Sequence, residues 1–241
     1  MDMIQKDMNM IQKDMNMIQK DMNISFWVIV FEKNKQRVQN FENSKQKLPF
    51  LQKFPAVDTI NEKGKWKKND LNTKKIMNDK LKGKPGCNLS HQLLWKNHLE
   101  TDKEWLLVLE DDTYVDIDNI DEFIQTMNRL IKFDTSFIQL ETRKHHLEDQ
   151  KKYPQKEIEG LFQMKPQCGT SAYLISKKGI QYFFSFLPWD KYIDVYTCGK
   201  ESIEKLKSLC YVNKYFYTVG SQRMIDKDSQ MGSLIYENRN C

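Results

Sequence analysis

The sequence has no CxxC pair; its five cysteines, Cys87, Cys168, Cys198, Cys210 and Cys241, are scattered. That spacing excludes a zinc ribbon and gives little support to a disulfide framework. Long apolar runs are missing too: the longest, ISFWVIVF from Ile24 to Phe31, has eight residues, too few to span a bilayer. The segment before it is polar and repetitive and carries Asp7, Asp14 and Asp21, unlike a signal peptide. A cytoplasmic, reducing location without a transmembrane segment is the expectation. There is no zinc-finger or RNA-binding signature, and a formal net charge of +5 falls far short of a strongly basic domain, so no nucleic-acid partner is expected.

What is present is enough for a core. Hydrophobic residues make up 39% of the 241 residues and aromatics 12%, so buried apolar surface can offset the entropy of ordering. The charge is unevenly spread. Between Lys33 and Lys84 there are fifteen Lys or Arg against five acids, whereas Glu100 to Glu122 holds ten acids and the single base Lys103. A basic stretch facing an acidic one fits a polyanionic ligand held partly through a metal ion; a solvated lysine face is the plainer alternative.

Organisation along the chain begins with a perfect repeat, MIQKDMN, three times from Met3 to Asn23. Ile4, Met8, Ile11, Met15, Ile18 and Met22 recur at spacings of four and three, the pattern of a helical seam. Residues 1–23 are therefore read either as a disordered extension or as a helix capable of self-association, ahead of one domain over 24–241. Ile24 to Phe31 suits a fully buried first strand. A polar helix is expected from Lys35 to Lys47, then a short strand and turn in FPAVDTI. Asn61 to Pro85 reads as a long, mobile loop. Ser90 is placed as the cap of a helix running to Glu100, followed by a strand at Trp105 to Glu110. Ile120, Phe123, Ile124, Met127 and Ile131 mark a helix capped by Asp118 or Asn119. Strands in SFIQLE, AYLIS and YVNKYFYTV and a helix through Ile180, Phe183, Phe184 and Leu187 complete the series. Such alternation predicts an α/β domain with a mainly parallel central sheet.

One stretch carries chemistry. In WLLVLEDDTYVD the apolar run ends abruptly in Glu110, Asp111 and Asp112. Ligands in α/β sheets bind at the carboxyl ends of strands, and in extended chain Glu110 and Asp112 would share one face and Asp111 the other. Carboxylates so placed suit a hard divalent cation, Mn²⁺ or Mg²⁺, whose remaining positions go to substrate phosphates. A solvated strand end is the alternative.

The stretch PGCNLSHQLLWKNHLETDKEWLLVLEDDTYVD resembles the family 25 glycosyltransferases, which include lipooligosaccharide and collagen galactosyltransferases. The shared pattern is a Gly-Cys-x-x-Ser-His helix start, a Trp within that helix, and a strand ending in Glu-Asp-Asp. FPAVD at Phe54 to Asp58 and GTSAYLISKKGIQYF at Gly169 to Phe183 are similar to further segments of the family, in order. ISFWVIVFEKNKQRVQNF resembles its first strand and following Arg, here Arg37, although Phe31 and Glu32 replace the usual Asn-Leu. A later Ser-Asp-Ile segment is matched only by Ser233, Leu234 and Ile235, without the Asp.

The resemblance implies a GT-A type, Rossmann-like nucleotide-sugar domain, a UDP-sugar donor, usually a divalent metal, and transfer with inversion. Asp112 is the first choice for metal ligand, with Glu110 or Asp111 reaching the metal or the ribose; Arg37, Ser90 and His91 fall on the donor side. Ser90 as a helix cap and His91 as a structural residue are the simpler readings. Inversion needs a general base: Asp190 and Asp194 lie where the family has an acid, and Glu141 at the end of SFIQLE is the rival. His145 and His146 have no convincing ligand spacing and stay unassigned. A glycan or hydroxylated protein is the expected acceptor. A degenerate member that binds nucleotide sugar or glycan without turnover, and a metal-dependent phosphoesterase, are the competing functions.

Overall fold

The computed structural model describes residues 22–59, 83–141, 158–166, 169–212 and 215–218. The expected features at residues 3–21, 61–82, His145, His146, Cys168 and 233–235 lie outside them. Among the described residues seven strands form the main sheet: β1 (Ile24–Val30), β2 (Gln52–Pro55), β3 (Trp105–Glu110), β5 (Phe137–Gln139), β6 (Leu161–Gln163), β7 (Ala172–Ser176) and β8 (Leu209–Tyr211), in the order β2-β1-β3-β7-β5-β8-β6. Strands β4 (Tyr114–Val115) and β9 (Phe216–Tyr217) pair as a separate ribbon. The helices are α1 (Lys35–Lys47), α2 (Gly83–Leu99), α3 (Ile120–Leu130), α4 (Lys177–Phe184), α5 (Ile193–Thr197) and α6 (Lys200–Leu206).

The sheet is covered on both faces, and the side-chain alternation of a strand shows how. In β3, Leu107 and Leu109 enter one core with Phe26, Val28, Phe41, Phe123 and Met127, while Leu106 and Val108 enter the other with Leu94, Trp95, Tyr173, Phe183 and Trp189. A period of two sends neighbours to opposite faces, so a strand buried on both sides must be apolar at every position. Each buried leucine contributes about 1.5–3 kcal/mol relative to exposure.

Five of the seven strands run the same way, and β7 and β6 oppose them: β7 is antiparallel to both β3 and β5, and β6 to β8. The sheet is thus mainly parallel in strand direction. The reversal of β7 matters for the site. Because Leu109 pairs with Ala172, the residues just before β7 arrive at the edge where β3 ends.

Side-chain caps set three helix starts, that of α4 through Ser176 Oγ, which accepts from the Gly179 amide at 3.2 Å. Asn34 Oδ1 accepts from the Gln36 and Arg37 amides, and Asn119 Oδ1 accepts from the Glu122 amide, as N-caps do. Helix α2 departs from expectation. It begins at Gly83, so residues 83–85 are helical rather than loop, and Ser90 lies near the middle of the helix instead of capping it. The Ser90 hydroxyl donates to the Gly86 carbonyl at 2.6 Å and accepts from the Val57 amide at 2.8 Å, needs that a mid-helix serine meets as well as a cap.

The expected late strand is also divided, between β8 in the main sheet and β9 in the ribbon. Two residues of the third heptad belong to the fold: Met22 is buried in the first core, and Asn23 bonds Glu104 and Trp105 through its side-chain and backbone oxygens. Among the described residues no helix is long and apolar enough to cross a membrane, and no disulfide joins Cys87, Cys198 and Cys210 to one another.

Candidate functional site

The three acids stand where β3 leaves the sheet, but not in extended chain. The strand stops at Glu110, and the Thr113 amide donates to the Glu110 carbonyl at 2.9 Å, closing a turn. The pleat therefore does not decide which way Asp111 and Asp112 point; the turn and their partners do.

Asp111 is tied down from three sides. Its Oδ2 accepts from the Phe31 amide at 2.6 Å just past β1, its Oδ1 pairs with Arg37 Nη1 of α1, and its carbonyl accepts from Asn40 Nδ2 at 2.9 Å. The Asp111 and Arg37 side chains are only 7% and 6% exposed. Burial raises the Asp111 carboxyl against the opposing pull of Arg37 and the Phe31 amide. Burial also works against the Arg37 charge, yet Asp111 and Asp112 together hold its pKa above the ordinary value. Arg37 and Asp111, both expected on the donor side, are thus partners of each other and join β1, α1 and the end of β3.

Glu110 faces the other way, toward α2 and the start of β7. Its Oε1 accepts from Thr170 Oγ1 at 2.5 Å and lies 3.3 Å from His91 Nε2. Burial alone would raise its pKa, but His91, Thr170 and Arg37 hold it below the usual carboxylate range. Thr170 is delivered by the backbone before β7: Gly169 takes a φ of 148°, in the region that favours glycine, and the Ser171 carbonyl accepts from the Glu110 amide at 2.8 Å.

Asp112 has the least support. Its Oδ1 is buried with no hydrogen-bond partner, and its Oδ2 is 3.7 Å from Arg37 Nη1. Burial, then Glu110, raises its pKa to about 7, with Arg37 opposing and Asp111 adding to the rise. A buried carboxylate oxygen without a donor is costly unless a cation or proton meets it. The Asp112 and Glu110 oxygens are hard donors of the kind Mn²⁺ and Mg²⁺ accept, so these residues fit the metal the resemblance implies.

Helix α2 organises the remainder. His91 Nδ1 lies 2.7 Å from Tyr173 Oη, which also accepts from Trp95 Nε1 at 2.9 Å. The His91 and Tyr173 rings stack at 5.7 Å. With the Tyr173 hydroxyl donating to Nδ1, His91 carries its proton on Nε2, aimed at Glu110. Asn88 Oδ1 accepts from the Ile193 amide at 2.8 Å and its Nδ2 donates to the Lys191 carbonyl at 3.1 Å, fixing the start of α5. At Gly86 an added Cβ would sit 2.5 Å from the Val57 carbonyl oxygen, so the helix and the β2 exit approach at a distance no larger residue allows. The PGCNLSH, FPAVD, EDD and GTSAYLIS stretches, far apart in sequence, converge here.

The three candidate bases separate. Asp190 is exposed, and its Oδ1 accepts from Tyr196 Oη at 2.9 Å. Glu141 is buried and accepts from Thr218 Oγ1 at 3.1 Å. Asp194, in the first turn of α5, has a buried Oδ1 without a hydrogen-bond partner. It is close enough to the acidic corner that its charge, after burial and Glu110, raises the Cys87 thiol pKa. Thr170, Tyr173 and Asn88 position the site but were not singled out from sequence; each lies inside or next to a motif that was.

The fold is a mixed α/β domain with three carboxylates gathered at the carboxyl end of the central strand β3, the edge at which such sheets bind ligands. Residues 23–197 match the family model "Glycosyltransferase family 25 (LPS biosynthesis protein)"; the chain belongs to that family and is a glycosyltransferase of GT-A type. Solved structures match it only distantly. A glycosyltransferase involved in the glycosylation of the major capsid of PBCV-1 is 11% identical, over 83% of this chain and 95% of the other, with a TM-score of 0.44. TarS 1-349 from S. aureus in complex with UDP-GlcNAc is 11% identical, over 89% and 61%, with a TM-score of 0.48. A UDP-glucose pyrophosphorylase complexed with UDP-glucose is 10% identical, over 87% and 82%, with a TM-score of 0.42. No curated protein matches the chain.

Proposed function

We propose that the protein is a metal-dependent, inverting glycosyltransferase that moves a hexose, galactose or glucose, from a UDP-sugar to a glycan or hydroxylated protein. The observation that carries this reading is the buried Asp112 Oδ1 with no hydrogen-bond partner, next to a fully bonded Asp111 and a partly exposed Glu110. Asp112 and Glu110 would hold Mn²⁺ or Mg²⁺; when bound, such an ion neutralises charge on a diphosphate leaving group.

The chain's own residues do the rest. Arg37, held by Asp111, sets a fixed positive charge behind the corner and limits repulsion among the acids. Thr170 and His91 hold Oε1 and so orient the Glu110 carboxylate. Asp194 is our choice of general base: its unpartnered Oδ1 takes the proton of the acceptor hydroxyl as that oxygen bonds to the anomeric carbon. The bond from that carbon to the UDP oxygen breaks on the opposite face, which inverts the configuration and releases UDP. Asp190 and Glu141, each already bonded to a neighbouring hydroxyl, suit this role less well.

The test is UDP release from UDP-galactose and UDP-glucose, with and without Mn²⁺, for wild type, Asp112→Asn and Asp194→Asn. Metal-dependent release lost in Asp112→Asn, with donor binding kept but transfer lost in Asp194→Asn, supports the proposal. Donor binding without turnover across a broad acceptor panel would favour a nucleotide-sugar or glycan binding protein instead.

A further inference from the structure

Beside the hard-oxygen corner lies a second donor set of different chemistry. Cys87 and His91 are four residues apart on α2 and so share a helix face, and that face meets the end of β3. One ligand atom each from Cys87, His91 and Glu110 lies within 4.8 Å of the others. Cys87 is half-buried and Glu110 side-chain exposure is 25%, so an ion arriving from solvent can reach both, while His91 is buried behind them.

The shell around the histidine suits a ligand. A metal-bound imidazole needs its second ring nitrogen fixed by a hydrogen bond. His91 Nδ1 has Tyr173 Oη at 2.7 Å, and that oxygen is held by Trp95 Nε1 at 2.9 Å. Transfer of the imidazole proton from Nε2 to Nδ1, with the Tyr173 hydroxyl turned to accept from it, leaves the Nε2 lone pair facing Cys87 and Glu110. Gly86 and Asn88 flank Cys87 and lock this turn of helix against Val57 and Ile193, so the thiol is carried on rigid backbone.

We propose that Cys87, His91 and Glu110 form a zinc-binding site. Thiolate, imidazole and carboxylate are three protein ligands of the kind Zn²⁺ takes with an open fourth position, and a sulfur ligand favours zinc over Mn²⁺ or Mg²⁺. Binding displaces the proton of the Cys87 thiol, while His91 keeps its single proton on Nδ1. Glu110 belongs to both metal sets, so zinc at the soft site withdraws it from the Asp112 corner. On the proposed function, zinc is then an inhibitor that competes with the catalytic metal. The binding itself does not depend on that function.

The test uses the full chain and Co²⁺ as a spectroscopic stand-in for zinc. One equivalent should give a thiolate-to-cobalt charge-transfer band that Zn²⁺ abolishes and Mn²⁺ does not. The band should vanish in Cys87→Ser and persist in Cys198→Ser. A band that survives Cys87→Ser, or Co²⁺ binding without a sulfur band, overturns the assignment. Should Cys87→Ser not fold, peptide-resolved alkylation of wild type decides: Zn²⁺ slows modification of Cys87 if the site is real and leaves it unchanged if it is not. Loss of UDP release in every condition would sink the functional reading while leaving the cobalt spectrum to be read by itself.

Discussion

On the α1 side of the acidic corner Asp111 accepts a backbone amide, pairs with Arg37 and is anchored through Asn40. Asp112 and Asp194, by contrast, each keep a buried oxygen without a hydrogen-bond partner, and the Cys87 thiol nearby is raised by burial and the surrounding acids. Adjacent carboxylates of one motif have thus been given opposite tasks. Where every polar atom is satisfied, the group holds elements together; where a buried one is not, stability is withheld for a ligand.

The sharpest way to break this contrast is to remove the cation on the satisfied flank. Arg37→Met leaves Asp111 buried and uncompensated and should cost about 3–5 kcal/mol in urea unfolding. Asp112→Asn should cost nothing in the metal-free protein, because it deletes a charge that has no good partner. Equal losses in the two variants would erase the distinction. Gly86→Ala forces α2 away from Val57 and should cost about 1–3 kcal/mol by overpacking, seen as a lower melting temperature together with weaker donor binding.

The pH dependence sharpens the same point. The Asp112 pKa is raised from 3.8 to about 7 in the folded chain, so between those values the native state binds more protons than the unfolded one. Stability from this group therefore falls as pH rises through the window. His98 acts oppositely: burial lowers its pKa from 6.5 to about 4, which adds stability as pH rises from about 4 to 6.5. The Asp112 contribution is accordingly the difference between wild type and Asp112→Asn, each unfolded without metal from pH 4 to 8, and wild type should lose stability relative to the variant as pH increases. The smallest effect is expected at Asp190, which is exposed and paired with Tyr196: Asp190→Asn should change stability by no more than about 0.5 kcal/mol and leave transfer intact.

Much of this was legible in the residues. The bounds of α1, β3 and β7 follow from capping and from unbroken apolar runs, and the acidic corner follows from the abrupt end of WLLVLE. Other features leave no mark in a single sequence. A strand buried on both faces reads alike in either direction, so the reversal of β7 that delivers Thr170 to Glu110 was hidden. Ser90 looked like a cap because a serine before an apolar run usually is one; Pro85, tolerated in a first turn, marked the true beginning. The division of labour between Asp111 and Asp112 depends on Arg37, 74 residues away from Asp111 in sequence, and on a turn that cancels the strand alternation. Thr170, Tyr173 and Asn88 matter through contacts that only the assembled sheet creates.

The most direct measurement is calorimetric titration of Mn²⁺ into the protein in the presence of UDP, for wild type, Asp112→Asn and Asp111→Asn, at a pH where all are folded. Wild type should bind one ion, Asp112→Asn should lose binding by at least about tenfold, equivalent to about 1.4 kcal/mol, and Asp111→Asn should keep binding while losing stability. Undiminished Mn²⁺ affinity in Asp112→Asn would contradict the assignment of the unpartnered carboxylate to the metal.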